Sequence, residues 1–306
     1  MDKTAALLIG FGGPQNMEEV RPFLDSVLEG VKIPSQRYQE VLHHYEVIGG
    51  ISYFNTITYR QKEALEKWLS SLGHVLPIGV GFRHSQPGFR EAFEILKKAG
   101  VKKVVGFVLA SFRSFSSFEK YRAKISEAQR AVGAEDIQIA YTDPFAGNPF
   151  FWEAQAGQVR ETIKAFTEEE KHTTYFLFSA HSIPIAVPGQ AVYSAQFQEA
   201  AAGIAKLLKL EKNWSIAYQS RSGNPKDPWL EPDFKEVIRN LDKEKFNGVL
   251  LIPVGFLCDN VEVVYDLDIE AKQACEAGGF KYFRASTVAD HPKFIEMMGR
   301  QILEKV

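Results

Sequence analysis

Cysteine is nearly missing from this chain of 306 residues, which has only Cys258 and Cys275. Two thiols at that separation match neither a zinc module nor a disulfide framework. They exclude an Fe–S cluster held by four cysteines, so the expected compartment is the reducing cytoplasm. Also missing is any uninterrupted apolar run of the roughly 18 residues that a transmembrane helix needs, so membrane contact is expected to be peripheral at most. The apolar run in Met1–Gly10 is too short and wrongly flanked for a signal peptide, and reads as a first buried strand. A surplus of basic charge is absent too: 36 Lys and Arg stand against 38 Asp and Glu, a net charge of −2. A general nucleic-acid binder would need a basic surface, so that class is set aside. After the first strand, Leu8-Ile9-Gly10-Phe11-Gly12-Gly13-Pro14 has neither G-x-G-x-x-G nor a Walker lysine, so nucleotide binding is not expected. Its glycines suit a sharp turn or a close approach of backbone to a flat ligand.

The hydrophobic fraction of 45% is ample for a buried core. Short apolar runs at 5–9, 75–81, 104–109, 137–141, 175–178, 216–218 and 249–253 read as strands buried on both faces. Between them, 60–71, 88–98, 118–132, 191–208 and 234–241 carry apolar residues at helical spacing. This alternation predicts an α/β fold with parallel, doubly wound sheets. The pattern strand, Arg, Pro, helix, Gly, strand occurs twice, from Ile78 through Arg83 to Leu109 and from Ile216 through Arg221 to Pro253, which predicts two similar lobes. The turn formers of Thr142–Pro149 place the boundary so that 1–144 is one lobe and 145–306 the other, with the C-terminal helix packing back on the first. In such folds ligands bind in the cleft at the carboxyl ends of the strands.

Two segments in the second half stand out. The strand Tyr175–Phe178 runs into Ser179-Ala180-His181-Ser182-Ile183-Pro184, which puts His181 at a strand end where ligands bind. Further on, Val254-Gly255-Phe256 leads into a segment where Glu262, Asp266 and Glu270 follow at four-residue intervals, with Asp259 just ahead. On a helix these three carboxylates share one face, and like charges at that spacing repel by a few tenths of a kcal/mol per pair. Taken alone, the segment fits either a solvated acidic face near a helix N-terminus or a path for a cation. Imidazole facing carboxylate can act as a base with its acceptor, or as a metal-binding pair. The loop Ser111-Phe112-Arg113-Ser114-Phe115-Ser116-Ser117-Phe118 alternates aromatic and hydroxyl residues, which suits an apolar ligand with anionic fringes or an aromatic lobe interface. Tyr218–Arg221 and Asp227–Leu230 read as turn and packing elements, with Arg221 available for an ion pair.

Taken in order, these motifs resemble the ferrochelatases, which insert ferrous iron into a porphyrin during haem biosynthesis. The likeness runs through Gly12-Gly13-Pro14, Tyr45-Glu46-Val47-Ile48-Gly49-Gly50-Ile51-Ser52, Ser179 to Pro184, Tyr218 to Leu230 and Pro253 to Glu270. It implies two Rossmann-like lobes of the type II chelatase plan clasping a porphyrin. It also implies that the family's metal-site pair falls on His181 and Glu262, and that Asp266 and Glu270 line an acidic path or an outer metal site. Many compact bacterial members carry Tyr where this chain has Phe11, and the loop 27–35 lacks the Arg cluster that some relatives place near porphyrin propionates. No C-terminal extension for membrane anchoring or cluster binding is expected.

On this resemblance the substrates are a porphyrin and ferrous iron, with no permanently bound cofactor, and the enzyme is expected to work as a monomer. Phe11, Ile51, Phe112 and Phe115 are expected against the ring, with Tyr45, Ser52, Ser114 and Ser116 toward the propionates. Coproporphyrin III is expected to be favoured over protoporphyrin IX. The alternatives are a protoporphyrin IX ferrochelatase, a cobalt or nickel chelatase of another tetrapyrrole, and a non-catalytic porphyrin or haem carrier.

Overall fold

The computed structural model describes residues 3–31, 33–221 and 227–306, so 222–226 of the Tyr218 to Leu230 motif lie outside the described residues. Eight strands form two four-stranded parallel sheets. In the first, β1 (Thr4–Gly10), β2 (Ile78–Phe82), β3 (Lys103–Val108) and β4 (Gln138–Tyr141) are ordered β2-β1-β3-β4. In the second, β5 (Thr174–His181), β6 (Trp214–Gln219), β7 (Gly248–Ile252) and β8 (Lys281–Arg284) are ordered β6-β5-β7-β8. Each sheet therefore places its second strand at one edge and its first beside it. The twofold pattern read from the sequence is a repeat of topology.

Periodicity along the strands explains the layers. In β1, Ala6 and Leu8 point into one core while Ala5, Leu7 and Ile9 point into another. In β5, Phe176, Phe178 and Ala180 share the core of Ala6 and Leu8, whereas Leu177 faces a third cluster with Phe234, Val263 and Leu267. Both faces of the inner strands are buried, so β1, β3, β5 and β7 read as apolar runs without polar alternation.

The helices are α1 (Met17–Val27), α2 (Ser35–Val47), α3 (Phe54–Ser71), α4 (Phe89–Lys98), α5 (Lys120–Ala131), α6 (Pro149–Ile163), α7 (Glu168–Thr173), α8 (Gln190–Leu207), α9 (Phe234–Arg239), α10 (Val261–Val263), α11 (Lys272–Gly278) and α12 (Pro292–Leu303). Two further segments, Phe115–Glu119 and Val264–Ala271, form wider π-helical turns. The core shared by the inner faces of both sheets takes residues from α3, α6, α8 and α12. Phe294 of α12 packs its ring against Phe145, Phe151 and Phe107, joining the C-terminal helix to β3 of the first sheet.

Some elements differ from the sequence expectation. β2 begins at Ile78 and not Val75, because Val75 is fully exposed and Pro77 enters the ladder only as an acceptor for the Ala6 amide. The segment at 118–132 starts with a π turn capped by Ser114 and Ser117. α1, α2, α6 and α7 and the short edge strand β8 were not anticipated.

Candidate active site

The site is built where β5 ends. His181 is the last residue of β5, and the chain after β7 crosses it closely: a Cβ on Gly255 would stand 2.7 Å from Ala180 Cα. Only glycine lets these two backbones approach so nearly. The His181 Nδ1–H donates to the carbonyl of Ser182, and the Tyr193 hydroxyl donates to the His181 carbonyl at 2.8 Å. Because Nδ1 carries its proton to Ser182, the neutral ring has its lone pair on Nε2.

That nitrogen lies 3.2 Å from Glu262 Oε1, with about a quarter to a third of each side chain exposed. Asn260 holds the carboxylate from the other side: its Nδ2 donates to Glu262 Oε2 at 2.9 Å, while its Oδ1 accepts from the Val263 amide at 3.0 Å. One residue thus caps the helix and fixes the Glu262 side chain, satisfying an N–H that would otherwise have no partner. Burial works against charge on both partners. Even so, Glu262 draws the His181 pKa above its ordinary value, and His181 with Asn260 pulls that of Glu262 down. The two shifts run in the directions that favour imidazolium beside carboxylate.

Glu262 belongs to α10, and the chain then widens into the π segment Val264–Ala271, whose hydrogen bonds run from i to i+5. A four-residue step overshoots one turn of an α-helix and falls short of one turn here. Asp266 and Glu270 therefore stay on one side while drifting in the opposite sense. Asp266 is buried; the Ser220 hydroxyl donates to its Oδ2, and Gln219 Nε2 reaches the same oxygen at 3.4 Å and the Glu262 carbonyl at 2.9 Å. Ser220 adopts a left-handed backbone, φ +62°, to present that hydroxyl. Burial lifts the Asp266 carboxyl to about 7 against the Ser220 hydrogen bond, with Glu262 and Glu270 pushing it further. Glu270 pairs with Lys235 at 2.8 Å.

Each carboxylate of the expected acidic stack thus has something to offset its charge: Glu262 faces His181, burial raises the Asp266 carboxyl to about 7, and Glu270 pairs with the Lys235 ammonium. Among the described residues no three His, Cys, Asp or Glu side chains gather into a ready-made metal cage. His181 and Glu262 come together as a pair, and Asp266 and Glu270 follow behind it.

The residues expected against a porphyrin fall into two groups. Ile51, Phe115 and Ser116 are exposed. Phe112 is buried edge-on against Tyr193 at 5.5 Å, and Tyr45 sits in the cluster of Val20, Phe23, Leu24 and Leu42, where burial and the Glu262 charge push its phenol pKa up. Ser52 is buried under Gly13, and Ser114 bonds to Ser117. Phe11 lies between His84 and Phe23, with ring centroids 4.6 and 6.0 Å away.

Three residues carry contacts at or near the site for which the sequence suggested no role. Asn260 is one, although an Asn two residues before a Glu at a helix start is a readable cap. Asn55 clasps the glycine loop, accepting from the Gly13 amide and donating to the Gly13 carbonyl, both at 3.1 Å. Arg83, just past β2, has its guanidinium 5.9 Å from the centre of the Tyr121 ring and one long hydrogen bond to the Ser116 carbonyl. It forms no ion pair among the described residues, and burial lowers its pKa.

Comparison with known proteins gives the family of the chain. The ferrochelatase family model matches residues 3–306. A ferrochelatase of Rhodopirellula baltica is 35% identical over 98% of this chain and 85% of its own. A coproporphyrin III ferrochelatase of Propionibacterium freudenreichii is 36% identical over 95% of this chain and 84% of its own, and one of Mycobacterium tuberculosis is 33% identical over 97% and 84%. Among solved structures, SirB from Bacillus subtilis, determined with Fe3+, superposes with a TM-score of 0.63 over 99% of this chain and 95% of its own, at 12% identity, a likeness of fold. The chain belongs to the ferrochelatase family: it is an enzyme of haem biosynthesis, a lyase whose substrates are ferrous iron and a porphyrin.

Proposed function

We propose that His181 and Glu262 carry the metal insertion and that coproporphyrin III is the preferred porphyrin. The observation that carries the first part is the 3.2 Å pair at the end of β5, with the His181 ring locked so that Nε2 faces Glu262. Insertion exchanges two pyrrole protons for one ferrous ion. Nε2, once free of its own proton, has the lone pair to accept a pyrrole proton or to hold iron. Glu262 stabilises the resulting positive charge. Asp266, titrating near 7 behind Glu262, takes protons onward more readily than it attracts a second cation. A two-residue site suits a metal in transit, since the porphyrin supplies the nitrogens that finally hold it.

Coproporphyrin III carries more propionates than protoporphyrin IX and needs more donors around the ring. Arg83 supports the preference: it is partly buried, lacks a carboxylate partner among the described residues, and stands beside exposed Ser116 at the strand ends. A guanidinium offers the bidentate geometry that serine hydroxyls lack. The names of the relatives at 33–36% identity point the same way.

The test is anaerobic incubation with ferrous iron and each porphyrin, followed by absorbance. A ratio of kcat/KM on the order of tenfold in favour of coproporphyrin III is expected, about 1.4 kcal/mol of differential binding. Arg83→Met should shrink that ratio. A ratio favouring protoporphyrin IX overturns the substrate assignment and leaves the pair untouched.

A further inference from the structure

The segment that presents Glu262 is held at both ends by one side chain outside it. Arg284, the last residue of β8, donates from Nη1 and Nη2 to the two oxygens of Asp259 at 3.3 and 3.1 Å. On its other edge Nε and Nη2 donate to the two oxygens of Asp268 at 2.5 and 3.1 Å. Asp259 directly precedes the cap Asn260, and Asp268 lies inside the π segment. The Arg284 side chain is only 17% exposed, so both contacts are screened less by salt than a surface pair would be. Two neighbours complete the arrangement: the Tyr282 hydroxyl donates to Asp268 at 3.1 Å and the Thr287 hydroxyl to Asp259 at 3.1 Å. The Thr287 loop is in turn braced, since Gln158 donates to the Thr287 carbonyl at 3.0 Å and Gln61 to the Ala289 carbonyl at 2.8 Å.

We infer that Arg284 is a positioning residue for iron insertion: by tying Asp259 to Asp268 across the segment between them, it sets where the Glu262 carboxylate stands opposite His181. The inference rests on His181 and Glu262 being the working pair. A π ladder is rare and appears mostly in short functional stretches, so a span of this length needs an outside restraint to keep it from tightening to i→i+4 bonds. Tightening would change the winding after Val263 and the separation between Asp259 and Asp268. Arg284 opposes that change because its planar fork fits both carboxylates only at their present spacing. Lysine, a single point of charge, would hold them less firmly.

The test uses the full chain and compares Arg284→Gln, Arg284→Lys, and Arg284→Gln combined with Asp268→Asn, with His181→Ala in parallel. Measured are kcat and KM for anaerobic iron insertion, porphyrin Kd by fluorescence quenching, and Tm. For Arg284→Gln, porphyrin Kd and KM should stay within about twofold of wild type, while kcat per folded molecule falls on the order of tenfold or more, as small misplacements of reacting groups do. Arg284→Lys should recover part of kcat. The double variant leaves no unpaired carboxylate at Asp268, so its Tm should rise again while kcat stays low. Wild-type kcat in folded Arg284→Gln overturns the inference, and so does a double variant that regains kcat together with Tm. If Arg284→Gln does not accumulate as folded protein, Asp268→Asn alone, which leaves Arg284 on Asp259, is read by the same criteria. Turnover by His181→Ala would instead overturn the reading of the pair. A dead His181→Ala beside a fully active Arg284→Gln removes only the role of Arg284.

Discussion

At the scale of single residues, the chemistry depends on what holds the far side of each group. The Ser182 carbonyl accepts from the His181 Nδ1–H, Asn260 donates to one oxygen of Glu262, and Nε2 and the other oxygen are left facing each other. His181→Ala removes the nitrogen proposed to accept a pyrrole proton or iron, so iron insertion should drop on the order of 10²-fold or more, with porphyrin binding retained in a quenching titration. Glu262→Gln keeps size and hydrogen bonding but removes the charge that raises the His181 pKa. A group raised in the folded state stabilises below its unfolded pKa, and that contribution disappears as pH rises through the folded value. Glu262→Gln should therefore lower Tm most at pH 6, where a buried imidazolium loses its partner, and progressively less as pH rises through the raised His181 value. In wild type, kcat/KM should climb with pH through the raised His181 value; in Glu262→Gln that acid limb should move to lower pH while the maximum falls. A limb that does not move would show that the two groups are uncoupled in turnover.

At the scale of elements, the wide turn from Val264 to Ala271 buries Asp266 where an α-helix would leave the acidic face to solvent. Its carboxyl titrates near 7 in the fold and near 3.8 when unfolded, so the folded state binds the extra proton and stability declines as pH rises from about 4 to about 7. Asp266→Asn lacks that penalty. Its Tm should exceed wild type by several degrees at pH 8 and by much less at pH 5, a difference read by melting curves at the two values. Equal melting at both would mean that Asp266 is as ionised folded as unfolded. The sequence disclosed the four-residue spacing of these carboxylates but not their neutralisation, because Ser220 and Lys235, their partners, come from distant segments. The same limit explains the missed elements. α6 buries Phe151, Ala154, Gln155, Ala156 and Val159 against several neighbours and so shows no single apolar stripe, and β8 is four residues of mixed polarity at a sheet edge. β1, β3, β5 and β7 were legible because strands buried on both faces must be apolar throughout.

At the scale of the whole molecule, the elements around His181 and Glu262 can keep a precise geometry only if the two similar sheets do not drift. Their inner faces share one core: Ala6, Leu8, Val105 and Phe107 from the first sheet and Phe176, Phe178, Leu250 and Ile252 from the second meet helices α3, α6, α8 and α12. On the surface, Arg60 of α3 grips Asp290 at 2.5 and 3.2 Å, ahead of α12. An exposed pair of that kind contributes at most about 1 kcal/mol, so the shared core is what joins the halves. Phe294 is its most telling member, fully buried on α12 yet packed on Phe107 of β3 and Phe145 beyond β4. Phe294→Ala should cost about 3–5 kcal/mol through lost burial and the cavity left behind. Because the core is common property, that loss should fall on both sheets: amide hydrogens of β1 and of β5 should lose protection to the same degree in native-state exchange, within a single unfolding transition. Loss confined to β3 and its neighbours would mean that the two halves unfold independently, and that something other than the core holds them together.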